Sequence, residues 1–133
     1  MTQAQHLARI DHRIRPKIAA ILKDLEGHGW QPRIASSYRS LAEQKALKDA
    51  GRSTVSFSFH NHTYKGLPAA LAADIIDRRY GWSIPQGHQF WRHLGSSARA
   101  HGLTWGGDWK RFPDVAHVEI KGLTLAQAKR ETV

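Results

Sequence analysis

The chain contains no cysteine among its 133 residues and only one methionine. Without thiolates there are no disulfides, and any metal site has to use histidine, aspartate, glutamate and water as ligands. No apolar run approaches the roughly 20 residues of a membrane-spanning helix, so we expect no membrane insertion. The sequence also lacks a His-Glu-x-x-His motif, which excludes the commonest helical zinc-peptidase signature.

Acidic residues are scarce as well. The 11 Asp and Glu residues stand against 20 Lys and Arg, which gives a net charge of +9 and a surface that attracts polyanions. The basic residues never run beyond two in succession, unlike the dense basic stretches of typical DNA-reading elements. We therefore predict no nucleic acid partner. The alternative from a different functional class is a basic binding module without catalytic activity, or a basic nucleic-acid binder.

Length and the N-terminal composition set further expectations. A chain of this size is predicted to form one domain, residues 1–133, with its own core. We expect a monomer, since no long apolar face is left unassigned. The first 17 residues are polar and lack the apolar segment of a secretory signal. The expected place of synthesis is therefore a cytoplasm, with no export route of the protein's own.

Helix-like and strand-like patterns alternate irregularly along the chain. Helices are predicted over 7–25, kinked or split at Pro16, over 41–50 behind a Ser40–Glu43 capping box, over 86–101, and briefly after Thr124. Strands are predicted over 30–36, 71–77 and 115–120, and a long loop over 52–68. This pattern indicates an α+β fold with a small, largely antiparallel sheet flanked by helices.

One group of polar residues stands beside the apolar segment 71–77. Asp74 lies within that segment, and an ionised carboxylate there costs several kcal/mol of desolvation unless something compensates it. A metal ion would do so, as would backbone hydrogen bonds or an arginine. His60 and His62 precede this segment and are candidate ligands.

A second group lies at 114–120. In a strand, His117 and Glu119 share one face, and Asp114 stands where the chain enters it. Two imidazoles and one carboxylate leave a fourth tetrahedral position for water, as in catalytic zinc sites. Asp114 or Glu119 is then the candidate base.

Arg39 occupies the junction between the predicted strand 30–36 and the capped helix. An arginine there is suited to hold a substrate carboxylate or to stabilise an oxyanion. The alternative is an ordinary surface arginine.

Four elements, in order between about residues 34 and 120, resemble those of a known family. They are Tyr38-Arg39-Ser40 with Gln44, Ser58-x-His60 followed by Ala73-Asp74, Trp105-Gly106-Gly107-Asp108-Trp109, and Asp114-x-x-His117-x-Glu119. The family comprises the zinc D-Ala-D-Ala peptidases and the L-alanyl-D-glutamate endopeptidases, including many phage endolysins, and shares its fold with the Hedgehog signalling domain.

The resemblance implies a role for each matching residue. It makes His60, Asp74 and His117 the zinc ligands, Asp114 the catalytic base and Arg39 the substrate or transition-state clamp. It also implies supporting roles for Ser58, Gln44 and Glu119, and a place in the cleft wall for the segment carrying Trp109, which could equally be a packed turn.

The activity implied is hydrolysis of the stem peptides of bacterial peptidoglycan. We expect an L-alanyl-D-glutamate endopeptidase of the phage or prophage endolysin type, reaching the wall after membrane permeabilisation and held on the anionic wall surface by its basic charge. The alternative within the family is a D-Ala-D-Ala carboxypeptidase or dipeptidase.

The spacing departs from the family pattern at one place. Thirteen residues separate His60 from Asp74, more than the family's usual number, and residues 63–68 have the composition of an inserted loop. Loop lengthening costs little free energy, so the site is expected to survive. His62 is the substitute ligand to consider, and the insertion is a candidate for narrowing the cleft.

Overall fold

The computed structural model describes residues 1–132. Its helices are α1 (Gln3–Ala8), α2 (Arg15–Gly27), α3 (Leu41–Asp49), α4 (Gln89–Ala100) and α5 (Leu125–Glu131). Its strands are β1 (Pro32–Ser36), β2 (Thr63–Tyr64), β3 (Leu67–Pro68), β4 (Ala72–Asp77), β5 (Thr104–Trp105) and β6 (His117–Glu119). Two 3₁₀ turns occupy Phe59–Asn61 and Gly106–Asp108. Within residues 1–132, no helix has both the length and the apolar character needed to cross a membrane.

The helix starts follow from local side-chain chemistry. Ser40 Oγ accepts the N–H of Glu43, and the Glu43 carboxylate accepts the N–H of Ser40, so two N–H groups that the helix leaves unpaired are satisfied. Thr124 and Gln127 repeat this arrangement at α5. Pro16 lies in the first turn of α2, where its missing N–H costs nothing, and the predicted first helix is therefore two helices.

The main sheet has four strands in the order β1-β4-β6-β5, and every pairing in it is antiparallel. This confirms the predicted α+β architecture. Pro32 begins β1, which is an edge strand, as expected of a proline that has no N–H to donate to a ladder. β4 is the longest strand and is buried along its whole length, because it lies between β1 and β6 and its side chains join both apolar clusters of the protein.

The core lies between the sheet and the helices α2 and α4. Apolar side chains at helical spacing in α2 and α4 pack in one cluster with side chains of β1, β4 and β6. Fully burying an aliphatic side chain of this size contributes about 1.5–3 kcal/mol. A smaller cluster joins Phe57, Phe59, Leu71 and Ala72 to Ala128 of α5, so the C-terminal helix is tied to the far side of the sheet.

The prediction of a loop over 52–68 is wrong in its second half. This part of the chain forms the 3₁₀ turn Phe59–Asn61 and the β2–β3 hairpin. Lys65 and Gly66, between the two strands, both have positive φ, 52° and 76°, as a two-residue type I′ connection requires. The first of these two turn positions is usually occupied by asparagine, aspartate or glycine. Because lysine occupies it here, the sequence pattern did not indicate a hairpin.

Asp77 ends β4 and ties it to the start of β1. Its carboxylate accepts hydrogen bonds from the N–H of Gln31 at 2.9 Å and from Arg79 Nη2 and Nε at 3.0 and 3.1 Å. Burial raises the pKa of Asp77, but these bonds and the Arg79 N–H outweigh burial and bring the pKa to about 2. The charged form is therefore the one that stabilises the fold.

We predict that Asp77→Asn lowers the free energy of unfolding at neutral pH by up to about 2 kcal/mol, allowing for the solvent-exposed Arg79. Because the folded-state pKa is depressed, this stabilisation is present above the unfolded-state pKa and is lost as the pH falls towards 2. Denaturant titrations of the two proteins should converge between about pH 4 and about pH 2. A difference in the free energy of unfolding that stays constant over that range would show that the Asp77 charge does not stabilise the fold.

Candidate active site

Three residues that are remote in sequence meet at one end of the sheet. Asp74 lies in the central strand, His117 is directly opposite it in β6, and His60 comes from the 3₁₀ turn. Each offers one donor atom such that all three lie within 4.8 Å of one another. The side chains are almost inaccessible to solvent, with Asp74 the most exposed at 12%.

Backbone hydrogen bonding fixes the orientation of His60. Its Nδ1–H donates to the carbonyl oxygen of Ser37 at 2.6 Å, and a carbonyl can only accept. The lone pair is therefore on Nε2, which lies 3.6 Å from Asp74 Oδ2. A histidine whose other nitrogen is held in this way is oriented as a metal ligand usually is.

His117 has a carboxylate beside each ring nitrogen. Nδ1 lies 3.2 Å from Asp74 Oδ1, and Nε2 lies 2.7 Å from Glu119 Oε1. Glu119 thus holds the nitrogen that faces away from the cluster and leaves Nδ1 beside Asp74. The ring of Trp109 packs against His117 with centroids 5.2 Å apart and shields this side of the cluster.

The charges of Asp74 and His117 are strongly coupled. Burial raises the pKa of Asp74, but attraction by His60 and a hydrogen bond from His117 outweigh burial and lower the pKa far below its usual range. Burial lowers the pKa of His117, but its bonds to Asp74 and Glu119 outweigh burial and raise the pKa to about 10. Since a metal ligand must give up its proton, metal binding here displaces a proton from His117.

The donor set and spacing fit a zinc ion. Zinc takes histidine nitrogen and carboxylate oxygen at about 2.0–2.2 Å, so two ligand atoms on one tetrahedral ion lie about 3.3 Å apart. The observed separations are 3.2 Å from Asp74 Oδ1 to His117 Nδ1 and 3.6 Å from Asp74 Oδ2 to His60 Nε2, and one donor atom of each residue lies within 4.8 Å of the other two. Three protein ligands leave one position for water or substrate, which is the composition of a catalytic site.

Asp114 lies in the turn that leads into β6, with its side chain on the cleft. Its N–H donates to the carbonyl of Gly106 at 3.0 Å, and its own carbonyl accepts the N–H of His117. Partial desolvation and repulsion by Asp74 raise the pKa of Asp114. A Cβ at Gly106 would lie 2.4 Å from the Asp114 carbonyl oxygen, so a glycine is required where the two segments cross.

A hydrogen-bonded chain holds Arg39 in place. Arg39 Nη1 donates to Gln44 Oε1 at 2.8 Å, and Gln44 Nε2 donates to Ser53 Oγ and the Val55 carbonyl. Gln44 is fully buried, so it positions the arginine from behind and joins it to the loop 51–56. The N–H of Arg39 also donates to the His60 carbonyl, which links the arginine to the metal-ligand candidates.

Ser58 acts on the backbone of the turn that carries His60. Ser58 Oγ accepts the N–H of His60 at 3.2 Å, and the Asn61 amide oxygen accepts the N–H of Ser58 at 2.7 Å. Asn61 also donates to the carbonyl of Arg39 at 2.7 Å. The sequence interpretation missed Asn61. The Ser-x-x-Asn spacing, a variant of a capping box, was the signal available for it.

These residues surround a cleft of about 770 Å³. Eight of the nine residues predicted for the site line it, and the ninth, Gln44, lies behind Arg39. The segment 105–109 is both a packed turn and part of the cleft wall, because Trp105 is packed in the core while Trp109 faces the cleft. Arg52 and Phe112 also line the cleft and carried no motif that would have singled them out.

His62 points away from the metal-ligand candidates. Its Nδ1 lies 2.6 Å from the Ala69 carbonyl and its Nε2 lies 2.8 Å from Glu131 Oε1, so both nitrogens are already engaged. The β2–β3 hairpin lies beside the N-terminal segment around Ile10 and lines a separate depression there. It contributes no residue to the lining of the cleft, so the structure does not support the suggested narrowing of the cleft.

Known proteins with sequence or structural similarity to this chain agree with this geometry. The chain belongs to the D-alanyl-D-alanine carboxypeptidase family of peptidases, whose model matches residues 52–120, just over half of the sequence. It is 32% identical over 101 residues to the peptidoglycan L-alanyl-D-glutamate endopeptidase CwlK of Bacillus subtilis (strain 168). That match covers 65% of this chain and 59% of CwlK, so the chain spans well under two thirds of that relative.

Solved structures show the same fold at low identity. The Serratia marcescens L-Ala D-Glu endopeptidase ChiX is 17% identical, with a TM-score of 0.65 over 90% of this chain and 86% of its own. The vancomycin resistance D,D-pentapeptidase VanY from a VanB-type cassette, solved in complex with Zn(II), is 20% identical, with a TM-score of 0.55 over 91% and 76%. The predicted Hedgehog/DD-peptidase-like fold and the predicted family are thus confirmed.

Single substitutions of the histidines separate the two candidates for the first ligand. Added zinc should stabilise the wild-type protein by about 4 kcal/mol at about a thousand times its Kd, read as a rise in Tm. His60→Ala and His117→Ala should lose most of that rise. His62→Ala should lower the Tm without zinc, because the Ala69 carbonyl loses its partner and Glu131 keeps only Arg13. The rise in Tm on adding zinc should be unchanged in this variant. Retention of the zinc effect in His60→Ala would contradict the ligand set.

Proposed function

We propose that the protein is a zinc metallopeptidase that hydrolyses the stem peptide of bacterial peptidoglycan, acting as an L-alanyl-D-glutamate endopeptidase. The observation that carries the proposal is the convergence of His60, Asp74 and His117 on one point of a cleft, with Asp114 in the turn beside them. CwlK and ChiX are both L-alanyl-D-glutamate endopeptidases, and this supports the choice of bond.

We assign the metal to His60 Nε2, Asp74 and His117 Nδ1, the atoms that their other hydrogen bonds leave facing one another. When bound, zinc lowers the pKa of water towards 7 and polarises a carbonyl oxygen. Glu119 keeps the proton of His117 on Nε2 and so presents Nδ1 to the ion. Ser58 and the Ser37 carbonyl hold His60 in the matching orientation.

Asp114 is the proposed general base and acid. Its carboxylate accepts a proton from the attacking water as the new C–O bond forms. It then returns that proton to the nitrogen of the leaving amine as the C–N bond breaks. The pKa of Asp114 is raised, which is the direction that this exchange requires. A carboxyl group whose pKa is closer to the working pH both accepts and donates a proton more readily.

Arg39 supplies positive charge to the cleft. Its guanidinium lines the cleft and is anchored through Nη1 by Gln44. The remaining N–H groups are those proposed to hold a substrate carboxylate or the developing oxyanion, as planar, bidentate donors do well. Gln44 limits the freedom of the arginine, so less entropy is lost when substrate binds.

Asp114→Asn should fold, retain zinc and lose roughly 10²–10⁴-fold in rate. The measurement is the release of new amino termini from purified peptidoglycan, with zinc content determined in parallel. Asp108→Asn is the matched control, because Asp108 is an exposed carboxylate paired with Arg99 and should stay active. Cleavage by Asp114→Asn at the wild-type rate would show that the base is another group.

The products of the same digest decide between endopeptidase and carboxypeptidase. Family membership and the VanY likeness make removal of terminal D-Ala the second candidate activity. Mass spectrometry should detect glycan-linked L-Ala with a new carboxyl terminus and peptides beginning at D-Glu. Free D-Ala or the D-Ala-D-Ala dipeptide as the main product would favour the alternative.

We further propose a bacteriolytic role of the phage endolysin type. The net charge of +9 would hold the protein on an anionic wall. Sedimentation with purified walls should therefore be strong at low salt and should weaken steeply as ionic strength rises past physiological values, where the screening length is about 8 Å. Binding independent of salt would indicate that charge has no part in wall association.

A further inference from the structure

Phe112 is the most exposed large apolar side chain in the described part of the chain, at 87%. It lies on the rim of the cleft, two residues before Asp114. Val55, Trp109 and Leu125 are exposed apolar residues that line the same cleft. Single exposed apolar residues are common, but a set of four around one cleft forms an apolar rim, which is typical of ligand sites.

The backbone of Phe112 is strained. Its φ is 51°, a left-handed conformation that is unfavourable for any residue with a Cβ. Pro113 adds to the cost, because a residue before proline is steered towards extended conformations. The hydrogen bond from Asp114 N–H to the Gly106 carbonyl holds the chain just after this point. The same strained turn therefore carries both Phe112 and Asp114, and both residues line the cleft.

We propose that Phe112 is a substrate-binding residue whose ring covers an aliphatic part of the peptide beside the scissile bond. This inference rests on the proposed function and adds a specificity-determining contact to it. Arg39 and Arg52 form the cationic part of the cleft lining and suit a carboxylate. The apolar rim suits the methyl side chains of alanyl residues. A stem peptide carries both groups, and a ring that is exposed in the free protein becomes buried only when substrate is present.

The geometry separates the role of the ring from that of the backbone. Glycine adopts positive φ without penalty, so Phe112→Gly removes the ring and keeps the turn that places Asp114. Lys65→Gly is the matched control: Lys65 has nearly the same φ, 52°, is exposed, and lies on the hairpin outside the cleft lining. Both variants should have an unchanged or slightly raised Tm, because each relieves strain.

The probe is a soluble stem peptide released from purified peptidoglycan by an amidase. For Phe112→Gly we expect KM to rise at least about tenfold, because the free energy gained by burying one aromatic side chain corresponds to at least that change in affinity. The kcat should stay within about twofold of the wild type. Lys65→Gly should match the wild type, and Phe112→Tyr should retain most of the affinity. Calorimetric titration of the peptide into Asp114→Asn, with and without Phe112→Gly, should show a rise in Kd of the same size without turnover.

Peptide affinity of Phe112→Gly within twofold of the wild type would overturn the assignment. Equal losses in Phe112→Gly and Lys65→Gly would also overturn it, because they would place the effect in the backbone. Failure of the wild-type protein to cleave any wall peptide would instead count against the proposed function. The wild-type measurement therefore distinguishes the two failures.

Discussion

The carboxylate of Asp74 is the constraint on which the rest of the site depends. It lies in the central strand with apolar neighbours and strands on both sides, where an uncompensated charge is very costly. The two histidines that compensate it come from segments 14 residues before and 43 residues after it. Bringing those imidazoles to one carboxylate requires the strand order β1-β4-β6, so the electrostatics of the site and the topology of the sheet depend on each other.

The remaining polar groups lie where regular elements begin or end. Arg39 stands between β1 and α3, His60 in a capped 3₁₀ turn, and Asp114 where the chain enters β6. Such positions free side chains from packing while the sheet holds their backbones still. The hairpin between His60 and Asp74 projects towards the N-terminal segment. The 13 residues between His60 and Asp74 therefore form this hairpin without lining the cleft.

Two aspartates of one strand show how partners decide the role of a residue. Asp74 and Asp77 lie in the same apolar run, and both are held ionised, the first by imidazoles and the second by an arginine and backbone N–H groups. Imidazoles can exchange a proton for a metal ion, whereas a guanidinium and amides cannot. One end of β4 is therefore suited to chemistry and the other to holding β1 in register.

Local rules in the sequence were sufficient for the capped starts of α3 and α5, the split at Pro16, the apolar strand around Asp74 and, through motifs in order, the family. These features depend on residue spacing and helix capping over short stretches of the chain. Tertiary structure alone decided that both nitrogens of His62 are engaged elsewhere, that residues 63–68 form a hairpin, and that Phe112 lines the cleft. Each of these depends on contacts between distant segments, such as those of His62 with Glu131, and no local periodicity encodes such contacts.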